Sequence, residues 1–123
     1  MITGELIRLR AISRKDLPDF VTWLNDPDVG ENIAIYYPLS NEQEEKWFAD
    51  ILTHHVDEHP LAIEAKDQEK WKLIGNIGFL NIDRHAHSAE LGIFIGDKKY
   101  WNRGYGTEAM RLMVNYGFQN LNL

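Results

Sequence analysis

Ile7, Leu9 and Ala11 alternate with Arg8 and Arg10, and this two-residue period predicts a strand over Leu6–Ala11. The period then lengthens. Leu17, Phe20, Val21 and Leu24 fall at helical spacing, with Ser13 or Asp16 in place to cap the helix. Asn25-Asp26-Pro27-Asp28 ends it, because proline disfavours helical geometry in the residue before it. The stretch 31–39 reads as a loop or short strand carrying Tyr36, Tyr37 and Pro38. Ser40-Asn41-Glu42-Gln43 has the form of a capping box, and Trp47, Phe48, Ile51 and Leu52 make the apolar stripe of a second helix.

The middle of the chain reads as a β-meander. Leu61–Ala65 alternates, Asp67-Gln68-Glu69-Lys70 is a polar turn, and Trp71–Ile82 is a longer strand with a bend expected at Gly75 or Gly78. A turn over Asp83–Ser88 leads into a strand at Ala89–Ile95. There Ala89, Leu91, Ile93 and Ile95 face one way and Glu90, Gly92, Phe94 and Gly96 the other. A third helix is expected from about Gly104 to about Phe118, with Ala109, Met110, Met113, Val114 and Gly117 on its buried face. The predicted order is strand, helix, helix, three strands, helix.

At 123 residues, 44% of them hydrophobic, the chain suits a single domain with a real core. A net charge of −6 argues against nucleic-acid binding by phosphate neutralisation and weakly favours a cationic substrate. There are no cysteines, so disulfides, thiolate metal sites and cysteine nucleophiles are excluded. The start Met1-Ile2-Thr3-Gly4-Glu5 lacks the form of a secretory signal, and no apolar run approaches the ~20 residues of a membrane span. A cytoplasmic protein that binds neither membrane nor nucleic acid is expected. His55 and His59 have spacing that could share a metal, but no third ligand follows the pattern, and a solvated helix end is the plainer reading. His85 and His87 are either surface-turn residues or acid–base groups beside a substrate. Trp23, Trp47 and Trp71 read as packing residues.

The chemistry concentrates in Asn102-Arg103-Gly104-Tyr105-Gly106-Thr107-Glu108-Ala109. Two glycines one residue apart stand between a strand and a helix, where free N–H groups and the positive end of the helix dipole form a phosphate cradle. The same letters fit the dinucleotide fingerprint G-x-G-x-x-G/A. That fingerprint, however, needs the first strand of a βαβ unit before it and an acidic residue about twenty positions on. A plain turn with glycines for close packing is the remaining alternative.

Glu90-Leu91-Gly92-Ile93-Phe94-Ile95, followed by Tyr100-Trp101-Asn102-Arg103-Gly104-Tyr105-Gly106-Thr107-Glu108-Ala109, resembles the GNAT acetyltransferase superfamily, in its ribosomal-protein N-acetyltransferase-like branch. The openings Leu6–Arg10 and Trp23–Val29 resemble it as well. The resemblance implies an α/β fold, with a mixed, mostly antiparallel sheet and helices on both faces. The resemblance covers essentially the whole chain, residues 1–123 being read as one incomplete acyl-CoA N-acyltransferase domain, and it implies an acetyl-CoA site. Phe94 and Ile95 would offer backbone groups to the pantetheine. The N–H groups of Asn102, Arg103, Gly104, Tyr105, Gly106 and Thr107 would hold the pyrophosphate, with a charge-assisted contact from Arg103. The wider family has Gln or Arg three positions before the first glycine, where this chain has Trp101.

Acetyl transfer to an amine needs a neutral nucleophile, because free amines have pKa values near ~8 to ~10.4, and it needs donors for the developing oxyanion. Glu90 is the candidate base or water-holding carboxylate, the alternative being an ordinary solvent-facing strand glutamate. The oxyanion donor would be a backbone N–H near Phe94. The family's acid, a tyrosine after the next strand, has no counterpart before Leu123, and Tyr116 does not replace it. The chain is therefore expected to be C-terminally truncated and to self-associate through an exposed C-terminal edge. Two functions follow: an acetyl-CoA-dependent N-acetyltransferase acting on a protein N-terminus or small amine, or a non-catalytic fragment that binds CoA weakly or only as an oligomer.

Overall fold

The computed structural model describes residues 1–30 and 38–123 in full and Glu31 and Asn32 by their backbone. The expectations for Tyr36 and Tyr37 lie outside the described residues. The strands are β1 (Ile2–Thr3), β2 (Ile7–Ala11), β3 (Leu61–Asp67), β4 (Lys70–Asp83) and β5 (Ser88–Ile95). The helices are α1 (Leu17–Leu24), α2 (Pro27–Asn32), α3 (Asn41–Leu52) and α4 (Tyr105–Asn120). The five strands lie in sequence order, and each neighbouring pair is antiparallel. The predicted α/β class and order hold, with two additions. β1 is too short to show a period. α2 starts at Pro27, which ends α1 and then serves as the first residue of a new helix, where its missing N–H costs nothing.

Two apolar layers cover the two faces of the sheet. On one, Ile7, Leu9, Ile63, Ile74 and Ile77 pack under Tyr105, Ala109 and Met113 of α4, joined by Ala89, Leu91, Ile93 and Ile95 of β5. On the other, Leu17 and Phe20 of α1 and Phe48 of α3 meet Trp23, Trp47, Leu73 and Phe94. Phe20 and Phe94 touch edge-on with ring centres 5.7 Å apart. The alternation read along β5 is thus realised in full. The buried face of α4 differs from expectation. Ala109, Met113 and Gly117 are buried, but Met110 and Val114 are 39% and 41% exposed. The helix turns the 105–109–113 line onto the sheet, so positions 110 and 114 fall beside the β5 edge instead of under the helix.

The bend expected near Gly75 or Gly78 is a bulge. Ile63 pairs with Gly75 and Glu64 with Leu73, so Ile74 is the extra residue of β4. The Ser40 capping box forms as predicted: Ser40 Oγ accepts the Gln43 N–H at 3.0 Å, and Gln43 Oε1 accepts the Ser40 N–H at 2.7 Å. No helix among the described residues is long and apolar enough to cross a membrane.

The arginines of β2 do not simply face water. Arg8 Nε donates to Glu64 at 2.6 Å, while Arg10 reaches Glu64 at 3.0 Å and forks onto Asp16 at 2.8 and 2.9 Å. Burial alone would raise the carboxyls of Asp16 and Glu64. Hydrogen bonds from Arg10 and the Ser13 N–H to Asp16, and from both arginines to Glu64, outweigh it and hold each below the usual carboxylate range. The network fixes the chain's turn from β2 into α1.

Glu44 of α3 is buried without such compensation, and burial pushes its carboxyl up to about 7. Its folded value lies above its unfolded one, so its contribution favours folding most below about pH 4.5 and is lost as pH rises through 7. Glu44→Gln should therefore stabilise the fold at pH 8, by on the order of 1 kcal/mol. The gain should shrink steadily toward pH 4.5. Urea unfolding followed across that range checks this, and a gain independent of pH would refute the assignment.

Candidate functional site

α4 begins where the chain leaves a tightly bound loop. Gly96 N–H donates to Ile74 O at 2.7 Å, and Asp97 Oδ1 accepts the Lys99 N–H at 3.1 Å. Asp97 also pairs with Lys72 at 2.8 Å. Burial alone would raise the Asp97 carboxyl, but Lys72 and the Lys99 N–H together hold it low. Lys98 Nζ bridges to Asp26 and Asp28 at 2.9 and 2.7 Å, tying the loop to the start of α2. Trp101 Nε1 donates to the Ile95 carbonyl at 2.6 Å. Asn102 (φ 59°) and Gly104 (φ 86°) then adopt left-handed backbone, which reverses the chain into the helix.

The first turn of α4 is open. Glu108 N–H is the first to bond back, to Gly104 O at 3.0 Å. The N–H groups of Tyr105, Gly106 and Thr107 have no helical carbonyl behind them. They sit at the positive end of a helix of 16 residues. Glu108 itself is buried, and both its oxygens accept the Leu6 N–H, at 3.1 and 3.0 Å. Gly4 makes room for this contact, since a Cβ there would collide with Glu108 Oε1.

A cleft of about 440 Å³ lies in front of this turn. Of the residues singled out from the sequence, Phe94, Ile95, Asn102, Gly104, Gly106 and Thr107 line it. Arg103 and Tyr105 do not. The Arg103 guanidinium rests over the rings of Tyr100 and Tyr105 at 5.8 and 5.6 Å and donates to Lys99 O at 3.0 Å. Tyr105 is buried edge-on against Tyr100. The lining also includes Val29, Ile93, Tyr100, Trp101 and Met110. Burial comes first among the causes that raise the Tyr100 hydroxyl, so it stays protonated at neutral pH. Met110 at the i+4 position from Gly106 was visible as part of an apolar stripe, but nothing in the spacing distinguished a cleft wall from a core position.

Glu90 lies outside this cleft. Its side chain is exposed and accepts Asn81 Nδ2–H at 3.1 Å. Asn81 borders a second cleft, of about 630 Å³, lined by Trp47, Asp50, Glu58, Asn76, Gly92 and other residues. The two clefts share Ile93 and Phe94. A smaller apolar cavity of about 180 Å³, between the end of α3 and Tyr116 of α4, touches none of the glycine-loop residues. The histidines of the α3 end hold one another's surroundings: His59 Nε2 lies 3.0 Å from His54 O, and His55 Nδ1 accepts the Asp57 N–H at 3.2 Å. His87 ties the β4–β5 turn to the segment after α4, with its Nδ1 3.1 Å from Asn122 O. Among the described residues, no group of three or more His, Asp or Glu is placed to hold a metal ion.

A family model described as an acetyltransferase (GNAT) domain matches residues 7–123. The chain is 27% identical over 121 residues to an uncharacterised N-acetyltransferase, p20, of Bacillus licheniformis, covering 97% of this chain and 66% of that protein. It is 24% identical over 135 residues to an N-acetyltransferase 9-like protein of Nematostella vectensis, covering 99% of this chain and 65% of that protein. The chain thus spans about two thirds of the length of these relatives. Among solved structures, a spermidine N-acetyltransferase from Vibrio cholerae, in complex with CoA and spermine, matches with a TM-score of 0.84 at 22% identity, over 98% of this chain and 68% of that one. An acetyltransferase (GNAT family) from Bacillus anthracis matches with a TM-score of 0.76 at 23% identity, over 99% and 68%.

The two loop glycines carry different duties. Gly104 needs its left-handed φ, whereas a Cβ at Gly106 would meet only Ile95 and Ile93 side-chain atoms at 3.8 and 3.9 Å, ordinary contact distances. Gly104→Ala should cost about 1–2 kcal/mol, and Gly106→Ala should be neutral or gain up to about 1 kcal/mol from helix propensity. Denaturant titrations of the two variants check this, and shifts of the same sign and size would contradict the division of roles.

Proposed function

The chain belongs to the acetyltransferase (GNAT) domain family, and we propose that it transfers the acetyl group of acetyl-CoA to a primary amine, a protein N-terminus or small amine, by direct attack in a ternary complex. The observation that carries this reading is the shared cleft in front of Gly104–Thr107, where the open first turn of α4 faces Ile93 and Ile95 of β5. Packing does not require a glycine at 106, which favours a role for that space in admitting a ligand. The pyrophosphate would sit on the N–H groups of the first turn, and the arm would run along β5 toward Ile93 and Phe94.

At Ile93 and Phe94 the second cleft meets the first, which suits the approach of an acceptor from the opposite face of the sheet. The neutral amine nitrogen forms a bond to the thioester carbonyl carbon, the C–S bond breaks, and the departing thiolate takes up the proton that the nitrogen sheds as the amide forms. Glu90, held by Asn81 at the border of the second cleft, would take the ammonium proton through water. The N-acetyltransferase names of the compared proteins, one of them acting on spermidine by its name, support an amine acceptor. A setting without membrane or nucleic acid, in the cytoplasm, belongs to the same reading.

The outer edge of β5 favours a second reading. Among the described strands none pairs with it, and beside it Val114 and Phe118 of α4 are 41% and 68% exposed. A chain that completes this edge by self-association would bind CoA weakly or only as an oligomer, without catalysis.

Calorimetric titration of the chain with acetyl-CoA, run beside Gly106→Glu, tests the first reading. Saturable binding is expected, with at least a tenfold loss in the variant while its circular dichroism stays unchanged. No binding at any protein concentration would overturn both readings, and binding that appears only with a concentration-dependent dimer would favour the second.

A further inference from the structure

Antiparallel pairing sends the N–H and C=O of one residue to the same side and alternates sides along the strand. In β5 the side of each residue can be assigned. Gly96 N–H donates to Ile74 O of β4 at 2.7 Å, and a Cβ on Gly75 would collide with the Phe94 carbonyl oxygen. Gly92 and Phe94, paired with Gly78 and Asn76, therefore spend their backbone groups on β4. Ile93 and Ile95 turn theirs away from β4, to the edge that borders the cleft in front of α4.

These two outward residues are not equivalent. The Ile95 carbonyl is taken by the Trp101 indole N–H at 2.6 Å, in a partly buried contact made across six residues of the chain. The ring lines the cleft at this point. An extended amide chain laid along an open strand edge seeks outward N–H and C=O groups, as an added strand would. Here it finds both at Ile93 and meets the indole at Ile95. Slippage by one side-chain pair would move such a chain by roughly 7 Å, far outside the tolerance of acetyl transfer.

We propose that Trp101 is a positioning residue: by holding the Ile95 carbonyl it makes Ile93 the β5 residue whose backbone pairs with the pantetheine arm of acetyl-CoA. The inference rests on the acetyl-CoA reading and adds to it a register for the arm. Of the two residues whose backbone groups are expected to meet the pantetheine, Phe94 faces β4 and Ile95 keeps only its N–H open at the edge, its carbonyl being taken by the indole.

Residue-resolved amide hydrogen exchange on 15N-labelled chain, with acetyl-CoA or with adenosine 3′,5′-bisphosphate, which lacks the arm, tests this. In the wild type, acetyl-CoA should slow exchange at Ile93 at least tenfold and leave Ile95 unchanged, and the bisphosphate should affect neither. In Trp101→Phe, which keeps an aromatic ring at this position and removes the indole N–H, slowing of at least threefold should appear at Ile95 too, with bisphosphate affinity within threefold of wild type. Acetyl-CoA binding without protection at Ile93, protection at Ile95 in the wild type, or the same pattern in both proteins would overturn the register while leaving the acetyl-CoA reading in place. Equal loss of both ligands in the variant would also overturn it, because Trp101 would then act through the fold of the loop. A wild type that binds neither ligand would overturn the inference together with the reading it rests on.

Discussion

The carboxylate of Glu108 on the Leu6 N–H is the contact on which the geometry of the molecule turns. It joins residues 102 positions apart, from the first turn of α4 to the entry of β2, and Glu108 is only 6% exposed. A glycine at position 4 is what lets the carboxylate come so close. A buried acceptor left without its donor costs about 1–3 kcal/mol, so the helix has one favourable height and one rotation on the sheet. That height decides where the open N–H groups of Tyr105–Thr107 point, and the rotation decides that Met110 lines the cleft while Ala109 and Met113 fill the core. An acid near a helix start is ordinarily read as a partner of the dipole. Here it has been diverted to an anchor, leaving the positive end of α4 uncompensated by that side chain.

The loop before the helix is built on the same logic of prior satisfaction. Asp97, Lys98, Trp101 and Arg103 each spend their polar groups on the chain itself: on Lys72, on Asp26 and Asp28, on Ile95 and on Lys99. A loop so tied has little left to lose on meeting a ligand, and preorganised donors are worth more than donors that must be gathered. Arg103 illustrates the point in reverse. Its charge reads from the sequence as a phosphate contact, but stacking over Tyr100 and Tyr105 makes it a support for the loop's shape.

Much of this was legible in the letters. The alternation of β5 assigns each residue to its face, the helical spacing of α1 and α3 finds Leu17, Phe20, Trp47 and Phe48 but overreaches at Leu52, which is 54% exposed, and the glycine pair marks the start of α4 and its cleft. These signals are local, set by the chain's own periods. What escaped was long-range or short. β1 spans two residues and shows no period. Glu108 and Gly4 make sense only together, as do Trp101 and Ile95. The burial of Glu44 is invisible because charged residues at the same spacing usually face water. Met110 and Val114 belong to an apolar stripe wider than the face that α4 actually buries, and the width of a stripe does not say which of its margins is covered.

The bulge at Ile74 bears on how this fold tolerates changes of length. On one side of it Leu73 faces α1 and α3 and Ile74 faces α4; on the other, Asn76 borders the second cleft while Ile77 and Phe79 return to the α4 layer. Around this bulge β4 is therefore read in two phases, joined by one supernumerary residue, and a second register shift between Leu80 and Asp83 returns Ile82 to the α4 layer. Deleting Ile74 itself would leave Leu73, Asn76 and Ile77 on the faces they now occupy, with the loss of its buried side chain, whereas a single insertion or deletion away from a register shift would turn part of the strand over. Single insertions and deletions should therefore survive at the two register shifts or at the hairpin ends, and elsewhere along the strand only in pairs, whereas the surface turn at Gln68–Glu69 stays free to drift in length.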